Sequence, residues 1–187
     1  MNNILFINAC VRPNSRTREL AEVVLKSLDG DVQELRLTEM PLPLLDLGMM
    51  EKRNQAALTK DFSDPIFFLA KQFAKADIIV IAAPYWDLMF PATLKAYLEN
   101  ITVSGITFRY TEEGRPQSLC KAKELYYVTT SGGFIGQNDF GFSYIQALAK
   151  GFFEIKEIKR YTAEGLDIFG ADVEKIMYDA KIKIISG

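Results

Sequence analysis

Five short apolar runs punctuate the chain, at residues 4–9, 32–37, 78–83, 125–130 and 155–163. Between them the apolar positions recur at helical spacing. Leu20, Val23, Val24 and Leu28 stand at i, i+3, i+4 and i+8, and Leu94, Tyr97, Leu98 and Ile101 at i, i+3, i+4 and i+7, so each set lays one apolar stripe along a helix. Val173, Ile176, Met177, Ala180 and Ile184 form a third stripe, placed to close the fold. Alternation of buried-type strands with amphipathic helices predicts an α/β fold. The expected arrangement is a single doubly wound domain over residues 1–187, a five-stranded parallel sheet in the order 2-1-3-4-5 with helices on both faces.

Local signals refine this outline. Pro65 and Pro91 suit a first helical turn, where a missing N–H costs nothing, and Asp64 can cap the stripe Ile66, Leu69, Ala70 and Phe73. Phe67 and Phe68 fall off that stripe and are expected either to face another element or a partner subunit, or to be isolated surface residues. The proline-rich residues 40–46 read as a loop after the second strand.

Three of the predicted strands lead into segments that carry chemistry. In a parallel sheet these emerge together at the carboxyl edge, where α/β folds bind their ligands. The first segment, Cys10-Val11-Arg12-Pro13-Asn14-Ser15-Arg16-Thr17, leads into a helix. A phosphate there would meet free backbone N–H groups, the positive end of the helix dipole, the hydroxyls of Ser15 and Thr17, and the guanidinium of Arg12. An ordinary helix cap by Ser15 or Asn14 with solvated arginines accounts for the same residues. The second segment, Pro84-Tyr85-Trp86-Asp87-Leu88, sets two aromatic rings at a strand end, which suits a planar heteroaromatic ring or, equally, core packing. The third, Thr130-Ser131-Gly132-Gly133, has paired glycines that permit close approach of a ligand to the backbone, positive φ, or a plain turn. Their convergence on one rim makes a nucleotide-like cofactor the expected occupant.

Composition narrows the chemistry. The 187 residues contain no histidine, which removes Ser-His-Asp and Cys-His arrangements and histidine-ligated zinc. The two cysteines, Cys10 and Cys120, lie far apart, so redox work requires a borrowed cofactor. A net charge of −2 gives no general attraction to nucleic acid, and no apolar run reaches the length of a membrane span. With no basic leader ahead of the first strand, the expectation is a cytoplasmic protein without membrane insertion.

These residues resemble the flavodoxin-like NAD(P)H:quinone oxidoreductases and FMN-dependent azoreductases along nearly the whole chain. The most telling passage is Ile81-Ala82-Ala83-Pro84-Tyr85-Trp86 through Pro91, Leu94-Lys95 and Tyr97, and then Gly105-Ile106-Thr107-Phe108-Arg109-Tyr110-Thr111-Glu112-Glu113-Gly114. Ser15-Arg16-Thr17, Pro41-Leu42-Pro43, Thr130-Ser131-Gly132-Gly133 and Ala163-Glu164-Gly165 agree in order and spacing. Three departures stand out: Cys10 replaces a small hydroxyl residue, Trp86-Asp87 stands where azoreductases often have Tyr-Asn, and the flavin-side histidine of mammalian-type quinone reductases is missing.

The resemblance implies a flavodoxin-like domain holding FMN rather than FAD. Cys10, Arg12, Ser15, Arg16 and Thr17 then surround the phosphate, Pro84, Tyr85, Trp86, Asp87 and Leu88 lie along the isoalloxazine ring, and Thr130, Ser131, Gly132 and Gly133 close its other edge. It further implies a homodimer with flavin sites at the interface, in which Phe108, Tyr110, Phe134 and Tyr144 shape the acceptor pocket. The implied activity is a ping-pong reaction from NAD(P)H to a quinone, azo or nitroaromatic small molecule. A non-enzymatic flavodoxin-type electron carrier or a redox-sensing regulatory subunit would use the same cofactor site.

Overall fold

The computed structural model describes residues 1–187. Its central sheet holds β1 (Asn2–Asn8), β2 (Gly30–Arg36), β3 (Ile78–Ala82), β6 (Glu124–Thr130) and β7 (Glu157–Ala163) in the order β2-β1-β3-β6-β7, all parallel. This is the 2-1-3-4-5 order expected from the sequence, with a small hairpin of β4 (Phe108–Tyr110) and β5 (Pro116–Ser118) inserted before β6. Strand alternation divides the core into two layers. Leu5, Ile7, Ile79, Ile81, Leu125 and Tyr127 face α3 (Phe68–Lys75), α4 (Ala92–Ile101) and α5 (Phe140–Gly151). Ile4, Phe6, Ile78, Val80, Tyr126 and Val128 face α1 (Arg16–Ser27) and α6 (Val173–Ser186). The stripe on α4 is wholly buried, while α1 and α6 bury Leu20, Val24, Met177, Ala180 and Ile184 and leave Val23 and Val173 half-covered.

The differences from the sequence expectation have local causes. Strand β2 begins at Gly30 rather than residue 32, because an edge strand tolerates Asp31 and Gln33 facing water while its backbone pairs with β1. Strand β7 begins at Glu157, two residues after Ile155, which is buried before the pairing starts. The segment after Asp64 opens as a 3-10 turn, Pro65–Phe67, and three residues per turn shift the phase of the stripe. Phe67 is therefore core, edge-on to Phe62 at 5.3 Å, and Phe68 faces solvent. Helix α2 (Leu47–Thr59) comes after the proline-rich loop and buries only Ala56, so it shows no apolar stripe in the sequence. No helix is long and apolar enough to cross a membrane.

Candidate functional site

Sheet pairing continues past the strand ends and fixes where the loops leave. Ala9 N–H donates to Ala82 O at 2.9 Å, Tyr85 N–H to Thr130 O at 3.0 Å and Ser131 N–H to Ala163 O at 3.0 Å. The three loops therefore rise side by side around an open cleft of about 440 Å³, within the usual range for small-molecule sites. Arg12, Ser15, Arg16 and Thr17 line it from the first loop, Pro84, Tyr85 and Trp86 from the second, and Thr130, Ser131 and Gly132 from the third.

At one end of the cleft the first turn of α1 begins. Ser15 caps it, its Oγ accepting from Arg18 N–H at 3.3 Å. The N–H groups of Arg16 and Thr17 belong to that first turn and have no acceptor inside the helix. The Thr17 hydroxyl lies 2.6 Å from the Thr130 hydroxyl and is buried, so one of its bonds is already made within the protein. This bond joins α1 to β6 beneath the cleft. Thr17→Val is expected to cost about 1–2 kcal/mol in chemical denaturation by stranding the Thr130 hydroxyl, whereas the double variant Thr17→Val/Thr130→Val recovers most of that loss. Additive losses would mean that each hydroxyl has another partner.

Cys10 does not line the cleft. Its Sγ points toward Ala82 O at 3.8 Å, and burial pushes the thiol up to about 11, so it is not a thiolate at neutral pH. Arg16 lines the cleft but pairs across it with Asp167 at 3.1 Å. Asp167, with Leu166, comes from a fourth loop after β7, beyond the three loops expected from the sequence. The signal was present in Ala163-Glu164-Gly165, since a strand beside β6 must end at the same edge. Three backbone bonds join the loops, Gly165 N–H to Gly133 O at 3.1 Å, Leu166 N–H to Ser131 O at 3.1 Å and Asp167 N–H to Gly132 O at 2.9 Å. Val11 and Asn14 complete the lining.

The second loop folds into a tight turn, with Trp86 N–H donating to Met89 O at 2.9 Å and Met89 N–H to Trp86 O at 2.8 Å. Asp87 and Leu88 both adopt left-handed backbone, φ 48° and 67°, a conformation that costs a leucine about 1 kcal/mol. Their side chains do not line the cleft, and their N–H groups have no protein acceptor. Tyr85 is held by its hydroxyl, which donates to Asn138 O at 2.9 Å.

The third loop uses Gly132 for close approach, and neither of its glycines for dihedral freedom. Neither Gly132 nor Gly133 has positive φ, but a Cβ on Gly132 would stand 2.5 Å from Asp167 Oδ2. Gly133 has open space around it and lies outside the cleft lining. Within one copy of the chain, none of Phe108, Tyr110, Phe134 and Tyr144 lines the cleft. Phe108 is buried edge-on to Tyr110 and Phe152 at 5.3 and 4.9 Å, and Tyr144 packs near Phe90 under the Lys95 ammonium. Phe134 and Tyr110 are exposed.

Comparison with known proteins places this architecture. Residues 2–186 match the family model described as flavodoxin-like fold. An FMN-dependent NADH:quinone oxidoreductase of Clostridium beijerinckii is 33% identical, over 96% of this chain and 94% of that protein. One of the same name from Coprothermobacter proteolyticus is 34% identical over the same shares of the two chains, 96% and 94%. The crystal structure of an azoreductase from Bacillus anthracis superposes with a TM-score of 0.87 at 25% identity, covering 100% of this chain and 98% of the other. Matches that run the length of both partners, on a sheet of this order, establish that the chain belongs to the flavodoxin-like family, together with these quinone oxidoreductases.

Proposed function

We propose that this protein is an FMN-dependent NADH:quinone oxidoreductase of the azoreductase type. The observation that carries this reading is the cleft itself. It is lined by the helix-start residues Arg16 and Thr17 with their unpaired N–H groups and by Tyr85 and Trp86, and the unpaired N–H groups of Asp87 and Leu88 stand in the turn directly after Trp86. A dianionic phosphate, a flat apolar ring system and its carbonyl edge need those three kinds of partner. The relatives' names, FMN-dependent and NADH:quinone, agree with it.

In this reading the Arg16 and Thr17 N–H groups and the dipole of α1 hold the phosphate, with Ser15 keeping the helix start in place. Arg12 lies at the phosphate end of the cleft and adds charge. Pro84, Tyr85 and Trp86 orient the ring, the left-handed turn at Asp87 and Leu88 offers donors to its polar edge, and the Thr130, Ser131 and Gly132 backbone bounds it opposite. When bound, FMN would supply two-electron transfer from NADH to a quinone, azo or nitroaromatic acceptor, in a ping-pong order of substrates. The chain contributes orientation and an apolar surround, and without histidine it leaves proton delivery to water or a tyrosine hydroxyl.

A homodimer belongs to the same proposal. Trp86, Leu88, Phe134 and Phe169, in the loops that follow the strand ends, and Phe140 at the start of α5 are exposed apolar side chains that a second copy would cover. That copy would bring Tyr110 and Phe134 toward an acceptor pocket which one chain leaves open.

The test is the visible spectrum of the purified protein after removal of excess FMN, then anaerobic addition of NADH and finally of a quinone. A bound-flavin band that bleaches with NADH and returns with quinone is the expected result. A bound flavin that NADH does not bleach would make the protein a carrier or sensor, and absence of bound flavin would overturn the reading.

A further inference from the structure

We propose that Arg160 is the positioning residue of the flavin cleft, acting through the loop 133–139 that stands behind Tyr85. The inference rests on the FMN reading of the cleft and concerns how its wall is held. Between Gly133 and Asp139 this loop makes few bonds with its own backbone; the Ser131 hydroxyl donates to Gly133 O at 2.6 Å at its start, and three side chains from other elements fix the rest. Glu164, at the end of β7, accepts from Ile135 N–H through Oε2 at 3.0 Å. Tyr85 donates to Asn138 O at 2.9 Å. Arg160 lies 2.9 Å from Asp139 Oδ2 and 3.6 Å from Glu164 Oε1, as an ion pair with each.

The geometry makes Arg160 the joint of this clamp. Asp139 caps α5, its Oδ1 accepting from Phe142 N–H at 2.9 Å, so its carboxylate is fixed to a helix. Glu164 is fixed to a strand end. The guanidinium bridges the two from a half-buried place over the Phe142 ring, 5.5 Å from its centroid. Removing it leaves two carboxylates facing one another without a cation, which favours separation of loop 133–139 from the end of β7. Tyr85 is tied to that loop and lines the cleft, so the wall moves with it. A guanidinium bridges two carboxylates at once, whereas lysine presents a single ammonium.

The clamp lies at the ring end of the cleft and the α1 start at the phosphate end, so the two can be told apart by ligand. Binding of FMN and of riboflavin, which lacks the phosphate, is measured by fluorescence titration with wild type, Arg160→Met and Arg160→Met/Asp139→Asn. Visible circular dichroism of the bound flavin is recorded alongside. Arg160→Met is expected to weaken both ligands by a similar factor, about tenfold, and to change the dichroism of the bound ring. Asparagine still caps α5, so the added Asp139→Asn is expected to restore most of the affinity by removing the opposed charge. Glu164→Gln keeps an acceptor for Ile135 and gives a milder reading, about threefold, should the methionine variant not fold. Unchanged affinity and dichroism in the variants, with wild type binding both flavins, would overturn the clamp and leave the FMN reading standing. A wild type that binds neither flavin would overturn both.

Discussion

Ser15→Asp is expected to leave the fold as stable as the wild type, or slightly more so, while weakening FMN by about a hundredfold and riboflavin hardly at all. The two halves of this result come from one position. Ser15 caps α1 through its side-chain oxygen, and aspartate caps as well as serine and adds a favourable charge at the helix start, worth about 0.5 kcal/mol. The same carboxylate occupies the phosphate end of the proposed site. At a partly solvated separation of a few ångströms it opposes the phosphate by about 3 kcal/mol, which is roughly two decades of affinity. Thermal denaturation of the unliganded protein checks the first half, and the ratio of FMN to riboflavin dissociation constants checks the second. Equal weakening of both ligands would place the phosphate elsewhere.

Gly105→Ala is expected to lower stability by about 3 kcal/mol and the melting temperature by roughly 6–12 °C for a chain of this size. Gly105 has φ +90°, and a Cβ there would stand 2.4 Å from Phe62 Cζ. The Phe62 ring cannot move away freely, because it packs edge-on to Phe67, which is buried with Ala56, Ala70 and Val103. The turn itself is held by Gly105 N–H donating to Phe108 O at 2.7 Å. Both the dihedral and the contact therefore oppose any side chain. Calorimetry of the variant measures the loss, and a melting temperature within about 2 °C of wild type would show that the turn relaxes.

The cleft residues are legible in the sequence where chemistry and backbone position coincide. Ser15, Arg16, Tyr85, Trp86, Ser131 and Gly132 stand just after three apolar runs, and parallel strands must deliver their downstream loops to one edge. The loop carrying Asp167 is legible as reaching the same edge, but its pairing with Arg16 is not, because nothing in Gly165-Leu166-Asp167 points to a residue from the other end of the chain. Thr17 illustrates the opposite case. Its hydroxyl suits a phosphate by residue type, and only the approach of β6 shows that Thr130 already engages it. Phe67 falls off the stripe in a helical count because a 3-10 turn, invisible to that count, rotates it inward.

Apolar spacing along the chain is enough to dictate a doubly wound parallel sheet, its two helical layers and the edge at which a ligand binds. That spacing is local and repeats over every element, so it survives without knowledge of the packed molecule. Which polar groups remain available at that edge is settled only once the chain is packed. Arg16 or Thr17 is free or engaged according to what a distant loop brings against it, and Asp139, Arg160 and Glu164 become a clamp only when β6, α5 and β7 meet. Pairing between side chains far apart in sequence is set by packing geometry, and periodicity carries no record of it.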